Sequence, residues 1–127
     1  MGIFDIFSST PKNGYSFKNE KHFRGFKRSG ISSHYGQAPA NLKTFWHKDI
    51  TGMDICFMKS KNQNGEPMLS VYLSGKLIAH VWNDMNTYER ITSNQVEAVH
   101  LRLEDDIGLD GQPIGPRPRL FVKLKEA

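Results

Sequence analysis

The chain has 127 residues, one cysteine, a net charge of +4 and 38% hydrophobic residues, enough for one domain with a packed core. The single Cys56 excludes an internal disulfide and a cysteine-rich zinc site, and fits a reducing, cytoplasmic setting. No run approaches the roughly 18 apolar residues of a membrane span, so no membrane contact is expected.

The charge is unevenly spread. Residues 11–48 carry eight Lys or Arg against one Glu, whereas residues 49–127 carry nine basic and eleven acidic side chains. Such asymmetry fits a basic segment beside a near-neutral body and speaks to partners rather than to fold.

The chain starts MGIFDIF, which lacks the basic region of a signal peptide. Ile6 also stands where a myristoylation signal needs Ser or Thr. Ile3, Phe4 and Phe7 are read as an apolar handle docking on the domain. Residues 8–41, rich in Ser, Gly, Asn and Lys, read as a loop or partly ordered arm with one short strand around Tyr15–Phe17. Within it, Asn19–Gly30 (NEKHFRGFKRSG) interleaves Phe23 and Phe26 with Arg24, Lys27 and Arg28. Cations of this kind track phosphates, and aromatic rings stack on bases. The plainer alternative is that the two rings anchor the arm while the charges are solvated.

From Leu42 onward strand-like runs recur between turn residues: Lys43–His47, Met53–Met58, Met68–Leu73, Lys76–Trp82, Val96–Leu103 and Leu120–Leu124. In and just after the first run Lys43, Trp46 and Lys48 are candidate contacts, with one of Phe45 and Trp46 buried because strand neighbours face opposite ways. A short helix is expected from Asp84 or Asn86 to Ile91, with Asp84 as its cap. In the hairpin between them a three-residue loop, Leu73-Ser74-Gly75, with positive φ at Gly75, would put Leu69, Val71, Leu77, Ala79 and Val81 on one face. Ser70, Tyr72, Ile78, His80 and Trp82 would share the other. Residues 105–118, with three glycines and three prolines, read as a long loop. The five histidines show no ligand spacing, so no metal is expected, and Glu104-Asp105-Asp106 reads as a solvated run. No catalytic motif appears, so neither an enzyme nor a cofactor is expected.

These elements suggest a mainly β domain: a small OB-like or SH3-like twisted barrel over 42–127, with one or two short helices and a basic N-terminal arm over 1–41. The run Ser70-Val71-Tyr72-Leu73-Ser74-Gly75-Lys76-Leu77-Ile78-Ala79-His80-Val81, followed by a short helix and a strand, resembles the central hairpin of the HIRAN domain family. The resemblance covers about residues 50–104, with Ala79 where the family has Gly. Asn64-Gly65-Glu66-Pro67 stands where the family carries an Asn-Pro-x-Asp segment, without its Asp and aromatic. It implies a small OB-like barrel that binds single-stranded DNA, with Tyr72 and His80 near the nucleotide. The candidate nucleic-acid contacts are therefore Arg24, Lys27, Arg28, Lys43, Trp46, Lys48, Tyr72 and His80. The alternative is a protein-interaction or homodimerisation module.

Overall fold

A computed structural model describes residues 14–126. The apolar handle at Ile3, Phe4 and Phe7 lies outside the described residues. In chain order the elements are β1 (Gly14–Lys18), β2 (Lys27–Ser29), β3 (Ile31–Ser32), α1 (Ala38–Lys43), β4 (Asp54–Lys61), β5 (Pro67–Leu73), β6 (Lys76–Val81), α2 (Met85–Thr92), β7 (Val96–Ile107) and β8 (Pro113–Leu124). They make a mainly β domain of two antiparallel sheets and two short helices, and the described residues form no closed barrel. The first sheet runs β1-β4-β5-β6-β3 and the second β2-β8-β7.

Alternation along the strands sets the core. Ile55, Phe57, Leu69, Val71 and Leu73 point inward from the first sheet, and Val99, Leu101, Leu120 and Val122 from the second. Leu42 and Phe45 close one side, and Ile91 of α2 joins them. Cys56, free and buried, is a small strand side chain.

Two joints connect the sheets. At the first, Asn19 is 3% exposed and forms a parallel bridge with Val99 just beyond β1. Its backbone N–H donates to Met53 O at 2.9 Å and its carbonyl accepts from Gly52 N at 2.8 Å. Its Nδ2 donates to Ile50 O at 3.0 Å and Leu101 O at 2.9 Å, and its Oδ1 accepts from Leu101 N at 2.7 Å. At the second joint the chain passes from β2 to β3 through Gly30. Gly30 N donates to Asp84 Oδ2 at 2.9 Å and Gly30 O accepts from Trp82 N at 3.1 Å. A Cβ on Gly30 would lie 2.5 Å from the Trp82 carbonyl oxygen, which belongs to backbone and cannot swing aside.

Asp84 caps α2 as expected, accepting from Thr87 N and Thr87 Oγ1, each at 3.0 Å. Burial alone would raise its carboxyl. The bonds from Gly30 and Thr87 and the charge of Arg90 outweigh that and hold it below the ordinary carboxylate range.

Four expectations need correction. Lys43–His47 is not a strand: Lys43 ends α1, and hydrogen-bonded turns carry the chain to His47, whose φ of 64° breaks it. Pro39 at the start of a helix is favoured because a first-turn N–H needs no partner. Over the described residues, the short strand expected around Tyr15–Phe17 is present as β1, and the rest of the loop reading of 8–41 gives way to β2, β3 and most of α1. Residues 105–118 are mostly strand, and only Gly108–Gln112 turns, closed by Gly108 N to Gln112 O at 2.8 Å. The prolines are tolerated because β2 covers only Leu120–Val122, leaving residues 113–119 with a free edge where a missing N–H costs no ladder bond. The β5–β6 loop has two residues, Ser74 and Gly75, with φ of 50° and 85°. A bulge at Ile78 then restores Leu69, Val71, Ala79 and Val81 to the core, so the face assignment fails only at Leu77 and Ile78.

Asn19→Ala strands two buried carbonyls and one N–H. In urea titration it should cost about 2–4 kcal/mol. Asn19→Asp should be at least as unstable at pH 7, because a carboxylate oxygen then faces the Ile50 and Leu101 carbonyls. That deficit relative to Asn19→Ala should shrink in acid as the new carboxyl protonates. A loss below about 0.5 kcal/mol for Asn19→Ala would show the clamp to be dispensable.

Asp84→Asn sets an amide N–H against the donors of Gly30 or Thr87 and should cost about 1–2 kcal/mol at pH 7. Since the Asp84 pKa is depressed by folding, its contribution is present above the unfolded value near 4 and fades as pH falls through the lower folded value. The gap between parent and Asp84→Asn should close over that window. A gap constant with pH would exclude the charged form as its source.

Candidate nucleic-acid interface

β8 continues past the end of β2 while the chain turns at Gly30 into β3, so the sheets part. The parting leaves a groove of about 820 Å³, walled by Arg28 through Tyr35 on one side and Pro116 through Arg119 on the other. Register places the cations. Arg28 lies opposite Phe121, Phe121 opposite His100, Arg119 opposite Arg102, and Arg117 opposite Glu104. Opposed residues share a face, so four arginines stand on the outer side of the second sheet.

Their charges are partly matched. Glu104 takes Arg102 Nη2 on one oxygen and Arg119 Nε on the other, each at 2.9 Å. Among the described residues Arg28 and Arg117 have no ion pair. Asp106 is the one carboxylate lining the groove, so positive charge dominates it.

Tyr35 and Trp82 stand at the end of the groove, their ring centroids 5.2 Å apart. Both are substantially exposed, at 44% and 38%, although each could bury a large apolar surface. Behind them lies a second groove of about 470 Å³, lined by Tyr35, Trp82, His80, Met68, Leu77 and Asn62 among others. His80 meets Tyr35 edge to face at 6.2 Å. It is 7% exposed, and its Nδ1 is buried without a partner. Burial pushes the imidazole below its ordinary pKa, so it is neutral at pH 7.

The other end of the arginine face carries a stacked cluster. Phe23 lies on His100 at 4.6 Å and 14° and beside Phe121 at 4.8 Å, with the Arg102 guanidinium 4.9 Å from the Phe23 centroid. Here the anchoring reading of Phe23 and the stacking reading share one place.

Of the residues singled out from sequence, Arg28 and His80 meet at the grooves, joined through Tyr35 and Trp82. Arg24 is exposed in the turn next to Phe23, whereas Lys27, exposed at the start of β2, lies opposite Val122 and so on the other face of the sheet from that cluster. Tyr72 shares the outer face of the first sheet with His80 but lines neither groove. Lys43 and Lys48 are exposed on α1 and the turns after it, away from both grooves. Trp46 is engaged elsewhere, donating from Nε1 to Asp105 Oδ1 at 2.8 Å. The acidic run is divided by alternation: Glu104 serves the arginines, Asp105 holds Trp46, and Asp106 faces the groove. Among the described residues no three metal-binding side chains gather.

Sequence reasoning passed over His34, Arg117 and Arg119. The alternation Arg117-Pro118-Arg119-Leu120 was the available signal, masked by prolines that read as loop. Compared with protein-family profiles, with curated proteins and with solved structures, the chain matches none.

Proposed function

We propose that this protein is a non-catalytic nucleic-acid-binding module that holds a single strand, with DNA as the substrate the HIRAN resemblance implies. One observation carries the reading: a groove lined by Arg28, Arg117 and Arg119 ends on an exposed pair of aromatic rings, Tyr35 and Trp82. Arginines at a groove wall recognise phosphates without reading sequence. Rings accept bases of any identity on their faces. The exposed rings and the neutral His80 behind them suit an unpaired base, whose faces are free to stack, better than a duplex, whose bases are already stacked. In this reading the two sheets are an OB-like barrel opened along the β3–β8 seam, and the opening is the binding site.

A second reading has its own support. The β7–β8 tip exposes Ile107, Leu109 and Ile114, with Leu109 fully in solvent, among Asp105, Asp106 and Asp110. An acidic, apolar tip repels a phosphate backbone and suits a basic protein partner or a second copy. Light scattering on the parent and on Ile107→Ser/Leu109→Ser/Ile114→Ser separates this reading from the first. A parent dimer that the variant dissolves would support it.

The first reading predicts salt-dependent binding of a short single strand in fluorescence anisotropy. Replacing Arg28, Arg117 and Arg119 with Gln should flatten the slope of log affinity against log salt by about 2, at roughly 0.7 per phosphate contact. Trp82→Ala should cost about 1–3 kcal/mol of binding with the slope unchanged. A parent that binds no oligonucleotide even at low salt disposes of the proposal.

A further inference from the structure

Building on that reading, we propose that His100, Phe121 and Arg102 form a nucleobase-binding platform, and that Phe23 occupies it in the unliganded protein. The three side chains project from adjacent register positions of β7 and β8. Phe23 covers them as a base would. Its ring is nearly parallel to the imidazole, 14° at 4.6 Å, and lies against Phe121 at 4.8 Å. The guanidinium of Arg102 sits 4.9 Å from the Phe23 centroid and 5.2 Å from that of Phe121. Planar guanidinium and aromatic faces together are what an unpaired base stacks on.

Phenylalanine is a poor permanent tenant. His100 Nδ1 lies 2.6 Å from the Glu20 carbonyl and so carries the proton, which leaves Nε2 as an acceptor. That Nε2 is buried without a partner, and so is Arg102 Nε. A phenyl ring offers neither a donor nor an acceptor. A base carries both along its edge, and its sugar and phosphate add more. Buried polar groups are almost always paired, so two orphans in one small cluster mark a place where a polar ligand belongs.

The occupant is also easy to lift. Glu20 is tied to Val99 by a ladder bond of 3.0 Å, and β2 begins at Lys27. Between them, the backbone bond formed is the turn from Phe26 N to Phe23 O at 3.0 Å, around Gly25 at φ 80°. This short link can rise without disturbing either end. Arg24, exposed in the turn next to Phe23, would travel beside the displaced ring and meet phosphates, while Lys27 stays paired in β2. The platform also continues the groove, since Arg28 opposes Phe121 and Arg119 opposes Arg102. A strand following those arginines passes over it.

The test is the affinity of Phe23→Ala for a fluorescein-labelled ten-nucleotide thymidine strand, with thermal denaturation alongside. Removing an internal competitor should tighten binding about three- to tenfold, as expected if the platform is covered about two thirds to nine tenths of the time. Adding Phe121→Ala or Arg102→Gln to Phe23→Ala should abolish the gain. Unchanged or weaker binding by a folded Phe23→Ala would overturn the inference and leave Phe23 an anchor. Should Phe23→Ala unfold, photo-crosslinking of the wild-type complex with a 5-iododeoxyuridine strand decides. Adducts at Phe121 or His100 support the platform, and adducts confined to Tyr35 and Trp82 refute it. Wild-type protein that binds no strand fails the functional reading as a whole, whereas wild-type binding without a Phe23→Ala gain fails this inference alone.

Discussion

Asn19 is the side chain on which the arrangement of the two sheets depends. It lies where β1 has left its sheet and not yet become part of the other, a position that exposes three backbone polar groups on two neighbouring segments. Its amide answers all of them: the Ile50 and Leu101 carbonyls and the Leu101 N–H. An isosteric Leu would fill the space and strand every one, and an Asp could serve only the N–H. The bridge to Val99 and the next ladder bond, Glu20 N to Val99 O, follow from this placement. The Glu20 carbonyl then meets His100 Nδ1, and Phe23 falls on the imidazole face three residues later. One satisfied buried amide thus sets where the basic link crosses the second sheet.

Gly30 does the complementary work on the other side. β2 pairs with β8 and β3 pairs with β6, so the chain must change sheets within one residue. The change brings Gly30 under the Trp82 carbonyl at a separation that admits no Cβ. Asp84 accepts from Gly30 N and caps α2 with the same carboxylate, so the helix start, the sheet crossing and Trp82 form one unit. The groove exists because the sheets are pinned at these two joints and free to diverge between them. Arg28 and Trp82 lie two residues and none, respectively, from the Gly30 contacts, which makes their spacing a property of the fold rather than of mobile loops.

Much of the first sheet was legible in the sequence. The alternating runs over β4, β5 and β6 bury one face, and that period survives without tertiary help. The cap at Asp84 was legible because its bond to Thr87 is local. What escaped depends on partners far away in the chain. α1 and the turn after it carry Ala38, Leu42 and Phe45 at helical spacing, but Pro39 and the Gly and Ser before it imitate a loop. Pro116 and Pro118 argue against a strand unless its edge is free, and only the shortness of β2 frees it. The bulge at Ile78 corrects a shortened turn, and no local signal distinguishes that pair of changes from a plain three-residue loop. The site was half legible for the same reason. The cations near residue 28 stand out by composition, while Arg117 and Arg119 matter only once register sets them across the second sheet from it.

The charge on the β7–β8 hairpin changes sign along its length, and this bears on how a strand would lie. Arg102 and Arg119 stand toward the body, and Asp105, Asp106 and Asp110 toward the tip. From Arg119 to the turn at Gln112 the distance is about 24 Å, and to Gly115 opposite Asp106 about 14 Å, at roughly 3.4 Å per residue. Both exceed the Debye length of about 8 Å at physiological salt, so the tip leaves the Arg28–Arg119 end of the groove almost untouched. Arg117, opposite Glu104 and one same-face register position from Asp106, lies within that length and is weakened by both at physiological salt. In the proposed reading, phosphates would therefore be held most firmly near Phe121 and less firmly toward Tyr35, where stacking rather than charge would hold the bases. Stacking gains little from counterion release, so binding at the two ends responds differently to salt. On the proposed function, a single polymer gripped electrostatically at one end and by ring contact at the other would have a preferred direction along the groove, set by the hairpin.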